Sequence, residues 1–256
     1  MRTWGLDVST DPTKTVAVAL DWGTDGVAIG EILRDQGPAD IVALLKSTDY
    51  AVLAADVPFG WPTAFAALVG EHQFGHLAHW SGLPVPAEAE TWRKTSAAHR
   101  VTDLALREHM RVRRMPLSPS FDRLGATTAM WALIEAWVAD DVTIDRSGMY
   151  DGATGPWTVE TYPAAQLAAW GRRERGKPTW EVLWGLLGEP DVGAHWEGLA
   201  GSDDVRDALV CAISARARAL GWTEGPEPEH MEAAKREGWI HITLRPLEEL
   251  IHPAGT

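Results

Sequence analysis

The first 58 residues constrain the fold more than any other part of the chain. Three apolar runs, Thr3–Ser9, Lys14–Trp22 and Gly26–Arg34, follow one another with only "STDPT" and "GTDG" at the joints. Their alternation, their valines and those turn residues predict three strands in an antiparallel meander. "PADIVALLKS" then reads as a short amphipathic helix with Pro38 in its first turn. It leads to "YAVLAADVP", the nearly unbroken apolar run of a strand buried on both faces. Meandering strands followed by strands reached through helical crossovers predict an α/β chain: a mixed sheet with helices on both faces.

The later segments fit that plan. From Trp61 to about Asp122 the pattern is irregular, with histidines, tryptophans and prolines, and reads as an insertion holding one helix, roughly Ser96–His109. "GATTAMWALIEAWVADD" has apolar residues at helical spacing, "GPWTVETYP" reads as a fifth strand, and "TWEVLWGLL" reads as a helix. The strongest helical pattern is "SDDVRDALVCAISARARALG", with Ser202 or Asp203 as N-cap and Gly221 just past the end. A short helix (about Glu229–Arg236) and an extended "GWIHITL" follow. The expectation is one domain over 1–256, with a helical insertion at approximately 61–125 and a C-terminal extension at approximately 222–256. Its sheet would have five strands, three in the antiparallel meander and two parallel.

A hydrophobic share of 45% over 256 residues suits one large α/β domain. No run approaches the roughly 18 apolar residues of a membrane span, and the N-terminus enters a strand without a signal peptide's regions. The single cysteine, Cys211, sits in the apolar pattern "DALVCAISA" and reads as core. It excludes an internal disulfide, and no zinc-ligand spacing is present. A cytoplasmic protein with no membrane partner is expected.

The net charge of −13 disfavours tight binding of long duplexes. Yet Arg93–Arg123 holds eight Lys/Arg against three acids, so that stretch carries +5 and the remainder −18. It is either a solvated helix face with a basic loop, or an anion-binding lid over an acidic site.

Acids stand where elements end. Asp7 lies within strand one, Asp56 at the end of strand four and Glu160 late in strand five. Asp204 and Asp207 lie in the first turns of the last long helix, where a spacing of three puts them on one face. Strand ends and the N-terminus of a packed helix converge at one edge of an open sheet. Carboxylates gathered there need cations, and hard divalent ions, Mg²⁺ or Mn²⁺, suit oxygen ligands. A pair of such ions, about 3.5–4 Å apart, activates water for phosphodiester cleavage. Each acid also has a structural use. A turn could satisfy Asp7, Asp56 could cap "VPFG", and a helix N-terminus welcomes Asp203, Asp204 and Asp207.

"GLDVST", "AADVPFGWP", "AHRVTDLALR", "VETYPAA", "SDDVRDALVCAISA" and "REGWIHI" occur in the order seen in domain-of-unknown-function family 429, regarded as predicted RNase H-like nucleases. The chain resembles that family from Gly5 to about Ile242. Its most specific elements are D-x-P-x-G-x-P at Asp56, D-x-x-D-A at Asp204–Ala208 and E-G-W-I at Glu237–Ile240. The resemblance implies an RNase H-like core. By similarity to RuvC-type resolvases, Asp7, Asp56, Asp204 and Asp207 would be the metal-binding catalytic acids. Such sites often carry Glu at the second position, where this chain has Asp56, one methylene shorter. Arg100, Asp103 and Arg107 match the family's R-x-x-D-x-x-x-R. Arg100 and Arg107 would clamp a phosphate, or Arg100 and Asp103 would form a structural pair.

The functional expectation is a divalent-metal-dependent nuclease or phosphodiesterase acting on nucleic acid or a nucleotide-sized phosphodiester. Trp61 and Trp92 could stack on a base. "GLDVST" also resembles the first phosphate hairpin of the acetate-kinase, sugar-kinase and actin superfamily, where Ser9 and Thr10 would contact ATP. The second phosphate loop and the late glycine-rich segment of that superfamily are missing here. A third reading is a non-catalytic binding protein that retains the acids. Most of the fourteen tryptophans fall at helical spacing and read as core. His72, His76 and His79 read as a polar helix surface.

Overall fold

A computed structural model describes residues 1–24, 26–76, 96–109, 116–120, 124–150, 155–171, 183 and 201–251. The meander forms as its pattern predicts: β1 (Arg2–Asp7), β2 (Val16–Trp22) and β3 (Val27–Leu33) pair antiparallel in succession. Helix α1 (Pro38–Leu45) carries the chain over to β4 (Val52–Asp56), which pairs parallel with β1. The expected fifth strand, Trp157–Glu160, pairs parallel with β4 on its far side.

Among the described residues the sheet has six strands rather than five; with Thr143–Asp145 as β5 and Trp157–Glu160 as β6, their order is β3-β2-β1-β4-β6-β5. The extra strand is β5 (Thr143–Asp145), parallel to β6 (Trp157–Glu160) at the outer edge. It has three residues, and its last, Asp145, turns the chain away. The Asp145 carboxylate accepts from Ser147 Oγ, Gly148 N and Tyr150 N at 2.9–3.1 Å.

The insertion differs from expectation at two points. A helix α2 (Thr63–Gln73) precedes the expected one, and it buries no residue, so no apolar stripe marks it. Helix α3 spans Val101–His109 instead of starting at Ser96. Arg100 N donates to Asp103 Oδ2 at 2.8 Å, half of a capping box that fixes the start there. Helices α4 (Leu124–Val138) and α6 (Asp203–Ala219) follow their sequence patterns, while α5 (Pro163–Ala169), started by Pro163 directly after the fifth predicted strand, is an addition to them. Ser202 is the N-cap of α6, accepting from Val205 N, and Gly221 just beyond the helix has φ +71°. The extended tail bridges β6 in parallel through Ile240 and Glu160.

Alternation along the strands divides the core between two faces. Trp4, Leu6, Leu53 and Ala55 pack with residues of α1 and α4. Val18 and Leu20 of β2, and Val52 and Ala54 of β4, pack on the other face with residues of α6. Among the described residues, no helix is long and apolar enough to cross a membrane.

Candidate functional site

The contact between β1 and α6 sets the site. Thr3 Oγ1 donates to the Ala212 carbonyl at 2.9 Å. Two residues on, Gly5 lies so close that an added Cβ would stand 1.9 Å from Ala208 O and 2.2 Å from Ala212 N. Only glycine admits that approach. The helix therefore runs against the strand direction, from Ala212 back to Ala208 as the strand goes from Thr3 to Gly5. A further two strand residues and one helical turn bring Asp7 to the first turns of α6, which carry Asp204 and Asp207.

Asp56 joins them through the sheet. β1 and β4 both end in aspartate, and Asp7 is the register partner of Asp56. Neighbouring strands lie about 4.8 Å apart, and register partners share a face. Both carboxylates therefore stand at the carboxyl ends of adjacent parallel strands, the edge where open α/β sheets bind ligands.

The charges act on one another strongly. Burial lifts the Asp7 carboxyl well above its usual range; Asp56, Asp207 and Asp204 push the same way, and Arg206 opposes them. Asp56 is lifted by burial, by Asp207 and by Glu160. Burial also raises Asp207, against the pull of Arg206. Among the described residues, no hydrogen bond reaches the carboxylates of Asp7, Asp56 or Asp204. Asp207 Oδ1, by contrast, accepts from Arg206 Nε and Nη2 at 2.9 and 2.8 Å. Arg206 Nη1 donates to Asp203 Oδ1 at 2.9 Å, so Asp203 pairs with arginine while Ser202 caps the helix.

In kind, these donors fit a hard divalent cation: oxygen only, anionic, and partly open to solvent at all four aspartates. In position, no three His, Cys, Asp or Glu among the described residues are grouped so as to hold an ion as they stand. The four aspartates are electrostatic neighbours rather than a closed ligand set.

Two expected site residues belong to a different cluster. Arg100, offered above as a phosphate clamp, is buried, and all five of its N–H donors have partners. Nε and Nη2 reach Asp103, Nη1 and Nη2 reach Glu160, and Nη1 also reaches the Glu237 carbonyl, all at 2.6–3.3 Å. Burial works against the Arg100 charge, and Asp103 and Glu160 more than reverse it, so its pKa rises. The alternative reading of Arg100 and Asp103 as a structural pair describes this arrangement.

Glu160, offered as a metal ligand, has both oxygens on Arg100, and Oε2 also accepts from Phe59 N at 3.0 Å. Its register partner is Ala55, which faces the α1/α4 core, so Glu160 points away from the face Asp7 and Asp56 share. Burial raises its pKa, with Arg100 and the Phe59 N–H pulling it back.

Sequence reasoning assigned no role to Glu237 or Arg206. Glu237 Oε1 accepts from Thr63 N and Oε2 from Val101 N, both at 2.8 Å, so one carboxylate caps the starts of α2 and α3. The E-G-W-I motif thus ties together the segments that follow Asp56 and Arg100. The signal for Arg206 was available: it is the lone cation inside "SDDVRD".

Arg107 is exposed, one turn on from Asp103. Trp61 is half-buried on the turn after Asp56. Ser9 serves the β1–β2 turn: its Oγ accepts from Asp11 N, its N donates to Thr15 Oγ1, and its carbonyl accepts from that hydroxyl. Cys211 is buried beneath the acids, and burial with Asp56, Asp7 and Asp207 raises its thiol pKa. The basic residues Arg93, Lys94, Arg111, Arg113, Arg114 and Arg123, with Trp92, His79 and all of "TWEVLWGLL" except Leu183, lie outside the described residues.

The family model described as "Protein of unknown function (DUF429)" matches residues 5–231, and the chain belongs to that family. No curated protein and no solved structure gives a significant match.

Proposed function

We propose that this DUF429 chain is a divalent-metal-dependent nuclease or phosphodiesterase built on a single RNase H-like domain, with an insertion at about 61–125 and an extension from about 222. Three antiparallel strands followed by parallel β4 and β6, in the order β3-β2-β1-β4-β6, support the fold reading, with β5 added outside them. The observation that carries the function is the register pairing of Asp7 with Asp56 beside the acidic first turns of α6. Asp7 and Asp56 would hold Mg²⁺ or Mn²⁺, with Asp204 and Asp207 completing the set. A cation bound there supplies a Lewis acid and a water of lowered pKa for attack on a phosphodiester. Trp61 is half-buried on the turn after Asp56, and in this reading it would stack against a base. With a net charge of −13, a short or nucleotide-sized substrate fits better than a long duplex.

A second reading, a binding protein that retains the fold without catalysis, is favoured by one observation: the acids are not grouped as a closed ligand set. Mg²⁺ and Mn²⁺ titrations followed by melting temperature, with single-stranded, duplex and branched substrates, separate the two. The nuclease reading expects the ions to raise Tm and at least one substrate to be cut. No stabilisation and no cleavage would leave the binding-protein reading standing.

A further inference from the structure

Arg206 departs from ordinary helix-surface behaviour. Residues i and i+1 on a helix point about 100° apart and do not normally pair. Yet the Arg206 guanidinium turns back onto its immediate neighbour, placing Nε and Nη2 on Asp207 Oδ1, while Nη1 reaches Asp203 Oδ1. Arginines at a helix start usually extend their heads into water. This side chain is only 11% exposed, against 47% for Asp203. The acids at the ends of β1, β4 and α6 draw it inward, and its charge opposes theirs at Asp7.

We propose that Arg206 is the exchangeable counter-cation of this site and its phosphate-binding group, the role Arg100 cannot take. Its planar fork matches a phosphate as well as a carboxylate. Both contacts to Asp207 fall on Oδ1, which leaves Oδ2 open to a divalent ion whose charge would then repel the guanidinium from that carboxylate. Once displaced, the guanidinium stays tethered within the first turn of α6, beside the acids, and turns to the substrate's phosphate. The inference rests on the metal-site reading above and adds the residue that neutralises the phosphate.

The test uses the full chain, Mn²⁺ alone and then inorganic phosphate, both by calorimetry. Arg206→Gln removes the competing charge, so Mn²⁺ binds several-fold more tightly, while phosphate binding to the Mn²⁺-loaded protein weakens on the order of tenfold. Arg206→Lys keeps the charge and loses the fork: Mn²⁺ affinity stays within about twofold of wild type, and phosphate affinity still falls. Circular dichroism establishes that both variants fold. Wild-type Mn²⁺ binding with both affinities unchanged in Arg206→Gln would overturn this role and leave the metal site intact. No Mn²⁺ binding by any of the three proteins would instead overturn the metal site, and this role with it.

Discussion

Asp7 and Asp56 are register partners at the ends of two adjacent parallel strands, and the Asp56 carboxylate raises the proton affinity of Asp7. The pair has a consequence for stability. In the unfolded chain both carboxyls titrate near 4. In the folded protein both titrate well above that, through burial first and neighbouring carboxylates second, chiefly Asp56 at Asp7 and Asp207 at Asp56. Between the unfolded and folded values the native state holds protons that the unfolded chain has lost, so stability falls as pH rises. Melting in EDTA should therefore give a higher Tm near pH 5 than near pH 8. Asp7→Asn should raise Tm at pH 8 by a few degrees and flatten the profile. A variant whose Tm still falls over that range as steeply as wild type would locate the pH dependence elsewhere.

The same repulsion gives a metal prediction. A cation binding only the folded state at a hundred times its Kd stabilises by about 2.7 kcal/mol. For a chain of this size that is roughly 5–10 °C in Tm. Mn²⁺ should deliver most of this to the wild type, and Asp56→Asn should lose it. Chelation with EDTA should return the wild type to its starting Tm. An equal Mn²⁺ response in Asp56→Asn would remove Asp56 from the ligand set.

How much of this was legible follows from what each residue depends on. Asp7 and Asp56 could be read directly, because a carboxylate inside an apolar run is conspicuous and strand ends follow from local pattern. Asp204 and Asp207 follow from the cap signals of α6. Glu160 was misread because its role depends on register: its partner Ala55, one residue before Asp56, faces the opposite core. Arg100 stayed between two readings, phosphate clamp and structural pair, for a related reason. Its partners Glu160 and Glu237 lie 60 and 137 residues away, and no local periodicity reports such a contact. Strand β5 was missed because three residues cannot display an alternation, and α2 because it buries no face.

Gly5 is the position on which the acid cluster depends mechanically. A methyl group there would meet backbone atoms of Ala208 and Ala212 at 1.9 and 2.2 Å, and backbone cannot yield as a side-chain tip can. Gly5→Ala should push α6 off β1 and destabilise by about 3 kcal/mol or more, a large effect for a single added methyl. Urea unfolding measures it. Because the helix carries Asp204 and Asp207, Mn²⁺ affinity should fall with stability. A variant of wild-type stability would mean that α6 packs elsewhere on the sheet.

Arg100 offers the clearest separation between a structural and a ligand-binding arginine. Removing it leaves Asp103 and Glu160 buried without their cation, and loss of one partner from a buried ion cluster costs about 3–5 kcal/mol. Arg100→Met should therefore lower the urea midpoint sharply. Arg107→Met, at an exposed position seven residues on, should stay within about 0.5 kcal/mol of wild type. Arg100→Lys should also be unstable, since an ammonium's three donors cannot replace five N–H contacts. The damage should spread to the turn after Asp56, because Glu160 holds Phe59 N there at 3.0 Å. The opposite result, an Arg100→Met protein as stable as wild type that no longer binds phosphate, would return this residue to the substrate.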